Sequence, residues 1–269
     1  MKDIFQISHN KENYTKPIYF HSHDFYEIYF FVDGNVTYYI ENESYTLTKG
    51  DLLIIPPGKL HRPVIEGSVP YDRYVLWIYS HYVSSDEGIS QFIREINCMI
   101  EEKNTRLASF DGVEFQNMTG LFNKLLSEFT SDDKLARYTA ESCIMLILEE
   151  LLKNFRCVER VDEEQGELVK QVISYINRNI ANAPSLEELS AEFFVSKYYL
   201  SHRFKEYTKT TVHQYILMKK INLAKELLEK GYTPKEVCEK CGFSTYSNFY
   251  KVFTSQTGIA PKNYGNLKI

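Results

Sequence analysis

Two stretches near the carboxyl end repeat one another, and this repeat limits the fold more than any other feature of the chain. Residues 233–264 read TPKEVCEKCGFSTYSNFYKVFTSQTGIAPKNY. Thr233 can cap the free N–H groups at a helix start, and Pro234 suits the first helical position. Val237, Cys238 and Cys241 share one face, and Gly242 tolerates positive φ, so the chain is expected to turn there. Ser244 is expected to open a second helix with Phe249, Val252 and Phe253 on its apolar face. Tyr246, Ser247, Tyr250 and Lys251 are left on the outer face. Residues 185–215 carry the same design. Leu189 and Ser196 lie 48 residues before Val237 and Ser244, whereas Leu200, Phe204, Thr208 and Tyr215 lie 49 before Phe249, Phe253, Thr257 and Tyr264. One residue of slippage in the turn reconciles the offsets, and the Phe-to-Tyr spacing of 11 recurs in both copies. In the first copy Leu200 and Phe204 are core, while Lys197, Tyr198, Ser201, His202 and Lys205 face outward. Polar and aromatic outer faces of this kind fit the major groove of DNA.

The pattern resembles the DNA-binding region of AraC/XylS-type transcriptional regulators, in which two helix-turn-helix units are joined by one helix. Residues 211–230 would be that helix, with INLAKELL matching the family's AkeLL run. The resemblance implies base contacts from Tyr198, Ser201 and His202 in the first unit and from Tyr246, Ser247, Tyr250 and Lys251 in the second. Arg203, Lys205 and Lys220 would touch phosphate, which positions the protein without specifying sequence. Each of these cations can equally be an ordinary solvated side chain. The sequence departs from the family at several points. Phe194 and Lys209 stand where Gly is usual, Lys220 replaces an Arg, and Thr254, Ser255 and Gly265 replace residues that are commonly basic.

A net charge of −5 over 269 residues argues against a nucleic-acid partner until the chain is divided. Residues 168–269 carry 15 Lys+Arg against 8 Asp+Glu, a balance of +7, and residues 1–167 carry 16 against 28, a balance of −12. The basic part is the part with the repeat, which favours double-stranded DNA as its partner. Five scattered cysteines point to reduced thiols in a cytoplasmic protein. Residues 1–10 are too polar for a signal peptide, and residues 143–152 are interrupted by Glu149 and Glu150, so no membrane partner is expected. Cys238 and Cys241 form a lone C-x2-C whose positions face a helix core, which favours packing over metal or redox work.

The first 80 residues read as short strands. Phe25–Val32, Val36–Ile40, Ser44–Leu47, Leu52–Ile55 and Arg73–Ile78 are β-branched or aromatic runs, the first four divided by Asp-Gly, Glu-Asn and Lys-Gly pairs. His21, His23, Glu27 and Gly34 give H-x-H-x3-E-x6-G, and Gly50, Pro56, Gly58 and His61 give G-x5-P-x-G-x2-H. These look like both halves of the cupin motif, with Ile65 where its final Asn would stand. The resemblance implies a barrel in which His21, His23, Glu27 and His61 converge. Three imidazoles and a carboxylate suit a divalent transition metal, and the same groups can instead be a polar lining that needs no cofactor. Arg73, Val75 and Trp77 share one face of their strand, so Arg73 and Trp77 can grip a hydroxyl-rich ring, or Trp77 can be core.

From Gln91 the apolar period becomes helical. The stripes are Phe92, Ile93, Ile96 and Ile100; then Phe115, Leu121, Phe122, Leu125, Leu126 and Phe129; then Tyr138, Cys143, Leu146, Ile147, Leu151 and Leu152. Residues 117–153 read as a helical hairpin with more apolar surface than a solvent-facing pair needs, which a homodimer interface or the outside of the barrel would cover. The expected class is α+β and multidomain. A cupin-like effector domain with a helical dimerisation segment over about 91–157 occupies residues 1–157. A linker spans 158–167, and an all-α domain of two helix-turn-helix units spans 168–269. By resemblance the chain is a transcription regulator with a carbohydrate effector that acts on the transcription machinery. The alternative is a metal-dependent cupin enzyme, a dioxygenase or sugar isomerase, fused to a DNA-binding domain.

Overall fold

The structure, a computed structural model, describes residues 4–13, 18–67, 69–103, 105–131, 133–155 and 166–264. The chain divides into two compact units, one over most of residues 1–161 and one over residues 162–269 together with the short segments 19–21 and 41–43. Of the linker expected at 158–167, residues 158–165 lie outside the described residues.

In the first unit the strands are β1 (Phe5–Glu12), β2 (Phe25–Asp33), β3 (Val36–Ile40), β4 (Glu43–Thr46), β5 (Asp51–Ile55), β6 (His61–Ile65), β7 (Tyr71–Tyr79) and β8 (Leu107–Ser109). They form a five-stranded sheet ordered β1-β7-β2-β5-β8 and a three-stranded sheet ordered β4-β3-β6. Alternation along the strands sorts two cores. Tyr29, Phe31, Leu53, Ile55, Tyr71 and Val75 from the large sheet meet Val36, Tyr38, Ile40 and Tyr45 from the small one, so the sheets close on each other as a flattened barrel. Phe5, Ile28, Phe30, Leu52, Ile54, Leu76 and Ile78 point the opposite way.

That second face is covered by helices α1 (Ser80–Ser85), α2 (Glu87–Lys103), α3 (Gly112–Phe129) and α4 (Ala136–Lys153). Ile89, Ile93, Ile96 and Ile100 of α2 are buried, as are Met118, Phe122 and Leu125 of α3. Phe122 stacks on Phe30 with ring centroids 5.1 Å apart. The helical hairpin therefore does cover the barrel. The stripe expected on α4 is corrected by its geometry. Ala136, Ala140, Cys143, Ile144, Ile147, Leu148 and Leu151 are buried, whereas Tyr138 and Leu146 point away at 66% and 45% exposure.

The second unit comprises α5 (Glu167–Arg178), α6 (Leu186–Glu192), α7 (Lys197–Thr208), α8 (Val212–Glu229), α9 (Pro234–Lys240), α10 (Tyr246–Thr257) and α11 (Pro261–Tyr264). The repeat read in the sequence recurs as repeated geometry. Ser185 and Thr233 both make capping boxes, with Glu188 and Glu236. Phe204 meets Tyr215 edge-on at 5.6 Å, and Phe253 meets Tyr264 edge-on at 5.3 Å, so the spacing of 11 places one ring pair in each unit. Thr208 and Thr257 each donate back to the carbonyl four residues earlier, at 2.7 and 2.8 Å. Each is followed by a left-handed residue, Lys209 or Gly258. The expected slippage lies in the turn. The N-cap of α7 is Ser196, but that of α10 is Thr245 rather than Ser244. Cys238 and Cys241 pack with Val237, Phe249 and Phe253, and burial pushes the Cys241 thiol up to about 12.

Candidate effector site and nucleic-acid interface

Alternation along β2 turns Glu27 to the same side as Tyr29 and Phe31, between the two sheets. It lies opposite Trp77 on β7 and Ile55 on β5. Glu27 is buried, and its carboxylate meets three nitrogens: His23 Nε2 at 3.0 Å, His61 Nε2 at 3.2 Å and the Trp77 indole Nε1 at 3.3 Å. His61 opens β6 in the facing sheet, opposite Ile40. The Gly58 N–H donates to the His23 carbonyl at 2.9 Å, which ties the two histidine-bearing segments together.

The far side of each imidazole decides what this group can do. His23 Nδ1 lies 2.9 Å from the Phe25 carbonyl and His61 Nδ1 lies 2.8 Å from the Lys59 carbonyl. A carbonyl only accepts, so both Nδ1 atoms carry hydrogen. Both Nε2 atoms then face a second acceptor, the carboxylate. His23 Nε2 is placed to hydrogen-bond the carboxylate, whereas His61 Nε2 lies 3.2 Å from it outside hydrogen-bond geometry, and a cation between these atoms would meet all three. One ligand atom from each of His23, Glu27 and His61 lies within 4.8 Å of the others, and this donor set suits a divalent transition metal. Burial alone would raise the Glu27 carboxyl. Hydrogen bonds and positive charge from His23 and His61 outweigh it and hold the group well below the usual carboxylate range.

Two residues expected in this group stand elsewhere. His21 is exposed, with Nδ1 3.0 Å from the Tyr19 carbonyl, and is not among the converging ligands. The alternation H-x-H explains it: neighbours two apart share a face only in extended strand, and these two precede β2. Arg73 does share the barrel-facing side of β7 with Val75 and Trp77, but its guanidinium is engaged. It donates to the Tyr71 carbonyl and to Glu12, both at 3.2 Å, and lies 4.2 Å from the Tyr71 ring centroid. Arg73 and Trp77 therefore serve two different groups. The one around Arg73 went unread in the sequence because 21 tyrosines hide it. The Tyr29 and Tyr71 hydroxyls are hydrogen-bonded inside the barrel, and burial with neighbouring Tyr71 and Tyr38 holds the Tyr29 phenol well above its ordinary value.

In the second unit α7 and α10 present the outer faces expected of them. Lys197, Tyr198, His202 and Lys205 are exposed on α7, with Ser201 and Arg203 half-buried, and Tyr246, Ser247, Tyr250 and Lys251 are exposed on α10. Both helices border one cleft of about 470 Å3, lined by Ser201 from α7, Ser244 and Asn248 at α10, and Val212, Ile216 and Lys220 of α8 between them. Lys197 reaches Glu187 at 2.8 Å and Arg203 reaches Glu206 at 2.8 Å, both across surface where such pairs contribute little. Lys220, expected at phosphate, has a partner inside the protein. Its ammonium donates to the Gly242 carbonyl at 2.7 Å and lies 5.4 Å from the Phe243 ring centroid, so it braces the second turn.

Residues 7–81 match the family described as AraC-like ligand binding domain, and residues 189–266 match the helix-turn-helix domain family. The chain belongs to the AraC family of transcriptional regulators. The regulator is 29% identical over 137 residues to the probable transcriptional regulator LumQ of Photobacterium leiognathi, a match covering 50% of this chain and 53% of that protein. It is 22% identical over 278 residues to the transcriptional activator RhaR of Mannheimia succiniciproducens, covering 98% of each. The solved structure of ToxT from Vibrio cholerae aligns over 98% of both chains at 14% identity with a TM-score of 0.38. Among the described residues no helix is long and apolar enough to cross a membrane.

Proposed function

We propose that this regulator takes a small-molecule effector, a saccharide, beside Glu27 in the barrel. Binding there changes how readily a cytoplasmic homodimer engages DNA and the transcription machinery. The observation that supports the reading is the pairing of chemistries at one place. A half-buried indole offers an apolar face, and a buried carboxylate between two imidazoles offers charge-assisted hydrogen bonds, the combination a polyol ring requires. An effector can move the equilibrium only through unequal affinity for the two arrangements of the protein. On the DNA side, Tyr198, Ser201, His202, Tyr246, Ser247, Tyr250 and Lys251 address base edges, and Lys197, Arg203 and Lys205 address phosphate.

A thermal-shift screen of mono- and oligosaccharides on the full chain tests the effector. Saturation at about 100 times Kd adds about 2.7 kcal/mol, a rise of several degrees. A flat response to every sugar removes the saccharide. The convergence of two Nε2 atoms and a carboxylate favours a second reading, a divalent transition metal held by His23, Glu27 and His61. Metal analysis of the same preparation decides it. The named relatives are regulators, and stoichiometric metal together with turnover of a candidate substrate would support the enzyme alternative instead.

A further inference from the structure

The two recognition helices use equivalent positions, 49 residues apart, for different chemistry. Lys197, Tyr198, Ser201 and His202 on α7 correspond to Tyr246, Ser247, Tyr250 and Lys251 on α10. In the major groove the commonest specific contact is a guanidinium bidentate to guanine. The sequence of α10, YSNFYKVFTSQT, contains no Arg, and its one cation is Lys251. Its outer face instead carries two phenol rings one helical turn apart. Tyr246 and Tyr250 have centroids 6.4 Å apart, and each is 44% exposed. Their inner neighbours Phe249 and Phe253 are fully buried, which anchors the helix so that the outer pair projects from a rigid element.

Among the groups that base pairs present in the major groove, the thymine 5-methyl is the apolar one. A face built from two phenol rings, without a guanidinium, has most to gain by covering methyl groups. Resting on the DNA-binding reading above, we propose that α10 reads thymine, with Tyr246 and Tyr250 packed on thymine 5-methyl groups, so the operator segment facing the second unit is rich in A·T pairs. Ser247, exposed beside the ring pair, can bond the thymine O4 or adenine N6 next to it.

The test starts with selection of duplexes from a randomised library by the full chain. Each thymine in the enriched site is then replaced singly by deoxyuridine, which removes the methyl and leaves base pairing intact. Removing one buried methyl weakens wild-type binding by roughly three- to ten-fold at one or two positions. Tyr250→Ala loses that sensitivity at the same positions, while Tyr250→Phe keeps it, because the ring rather than the hydroxyl covers the methyl. The proposal is overturned if enriched duplexes bind equally well with deoxyuridine at every thymine, or if Tyr250→Ala remains as sensitive as wild type. Failure to enrich any duplex would overturn the DNA-binding reading itself, a separate result.

Discussion

Phe194 and Gly242 occupy the same backbone position in the two helix-turn-helix units, 48 residues apart, with φ of 53° and 65°. Both sit in the left-handed region, but only one of them is glycine. A Cβ on Gly242 would stand 1.7 Å from the Ala181 carbonyl oxygen, so that turn admits no side chain. At Phe194 the side chain is 95% exposed, and a left-handed conformation costs a residue with Cβ about 1–2 kcal/mol. Phe194→Gly is therefore expected to stabilise the second unit by about 1 kcal/mol, and Gly242→Ala to destabilise it by about 2 kcal/mol or more. Chemical denaturation followed by helical circular dichroism checks both signs. A loss of stability in Phe194→Gly would mean that the ring contributes more than its backbone costs.

Lys220→Gln separates bracing from phosphate contact. Burial pushes the Lys220 ammonium below its ordinary value, and its donor goes to Gly242 rather than to the outer face. The variant should lose about 1 kcal/mol of stability at this half-buried site. The slope of log affinity against log salt should stay as in the wild type, whereas removing a phosphate contact lowers it by about 1. A reduced slope would return Lys220 to the phosphate set.

Trp77 is the only tryptophan in the chain, and its indole touches the carboxylate of Glu27, so its emission is a single-site signal from beside this group. Glu27→Gln leaves two imidazoles without their charged acceptor and should destabilise the first unit by about 3 kcal/mol, read as a lower urea midpoint in Trp77 emission. An active sugar or a divalent metal should change that emission in the wild type and not in Glu27→Gln. An emission change of the same size in both would place the ligand elsewhere.

The surplus apolar surface on α4 has a direct consequence. Leu135, Tyr138 and Leu146 are 65%, 66% and 45% exposed beside a helix face that is otherwise buried. If a second copy covers them, Tyr138→Glu combined with Leu146→Glu should halve the mass seen by light scattering and leave the circular dichroism unchanged. An unchanged mass would place the dimer contact on another face.

Where the chain repeats itself or alternates strictly, the residues announced their structure in advance. Val36–Ile40 is a strand with the bounds its pattern suggests, and the Phe-to-Tyr spacing became two edge-on ring pairs. β6 was harder to see because Pro63 stands inside it, and β8 because three residues carry no period. Spacing placed His23, Glu27 and His61 together but also promised His21, since a motif cannot show where a strand begins. Parity along β7 put Arg73 on the correct side. It could not show that Glu12 and Tyr71 would occupy the guanidinium first, because those partners come from pairing across strands.

The central claim is that one chain reads two neighbouring major-groove segments through α7 and α10. Hydroxyl-radical footprinting of the full chain on a selected duplex tests it most directly. Two protected segments about 10 base pairs apart on one face of the duplex are expected, with His202→Ala weakening one and Tyr250→Ala the other. A single protected segment, or two on opposite faces, would contradict it.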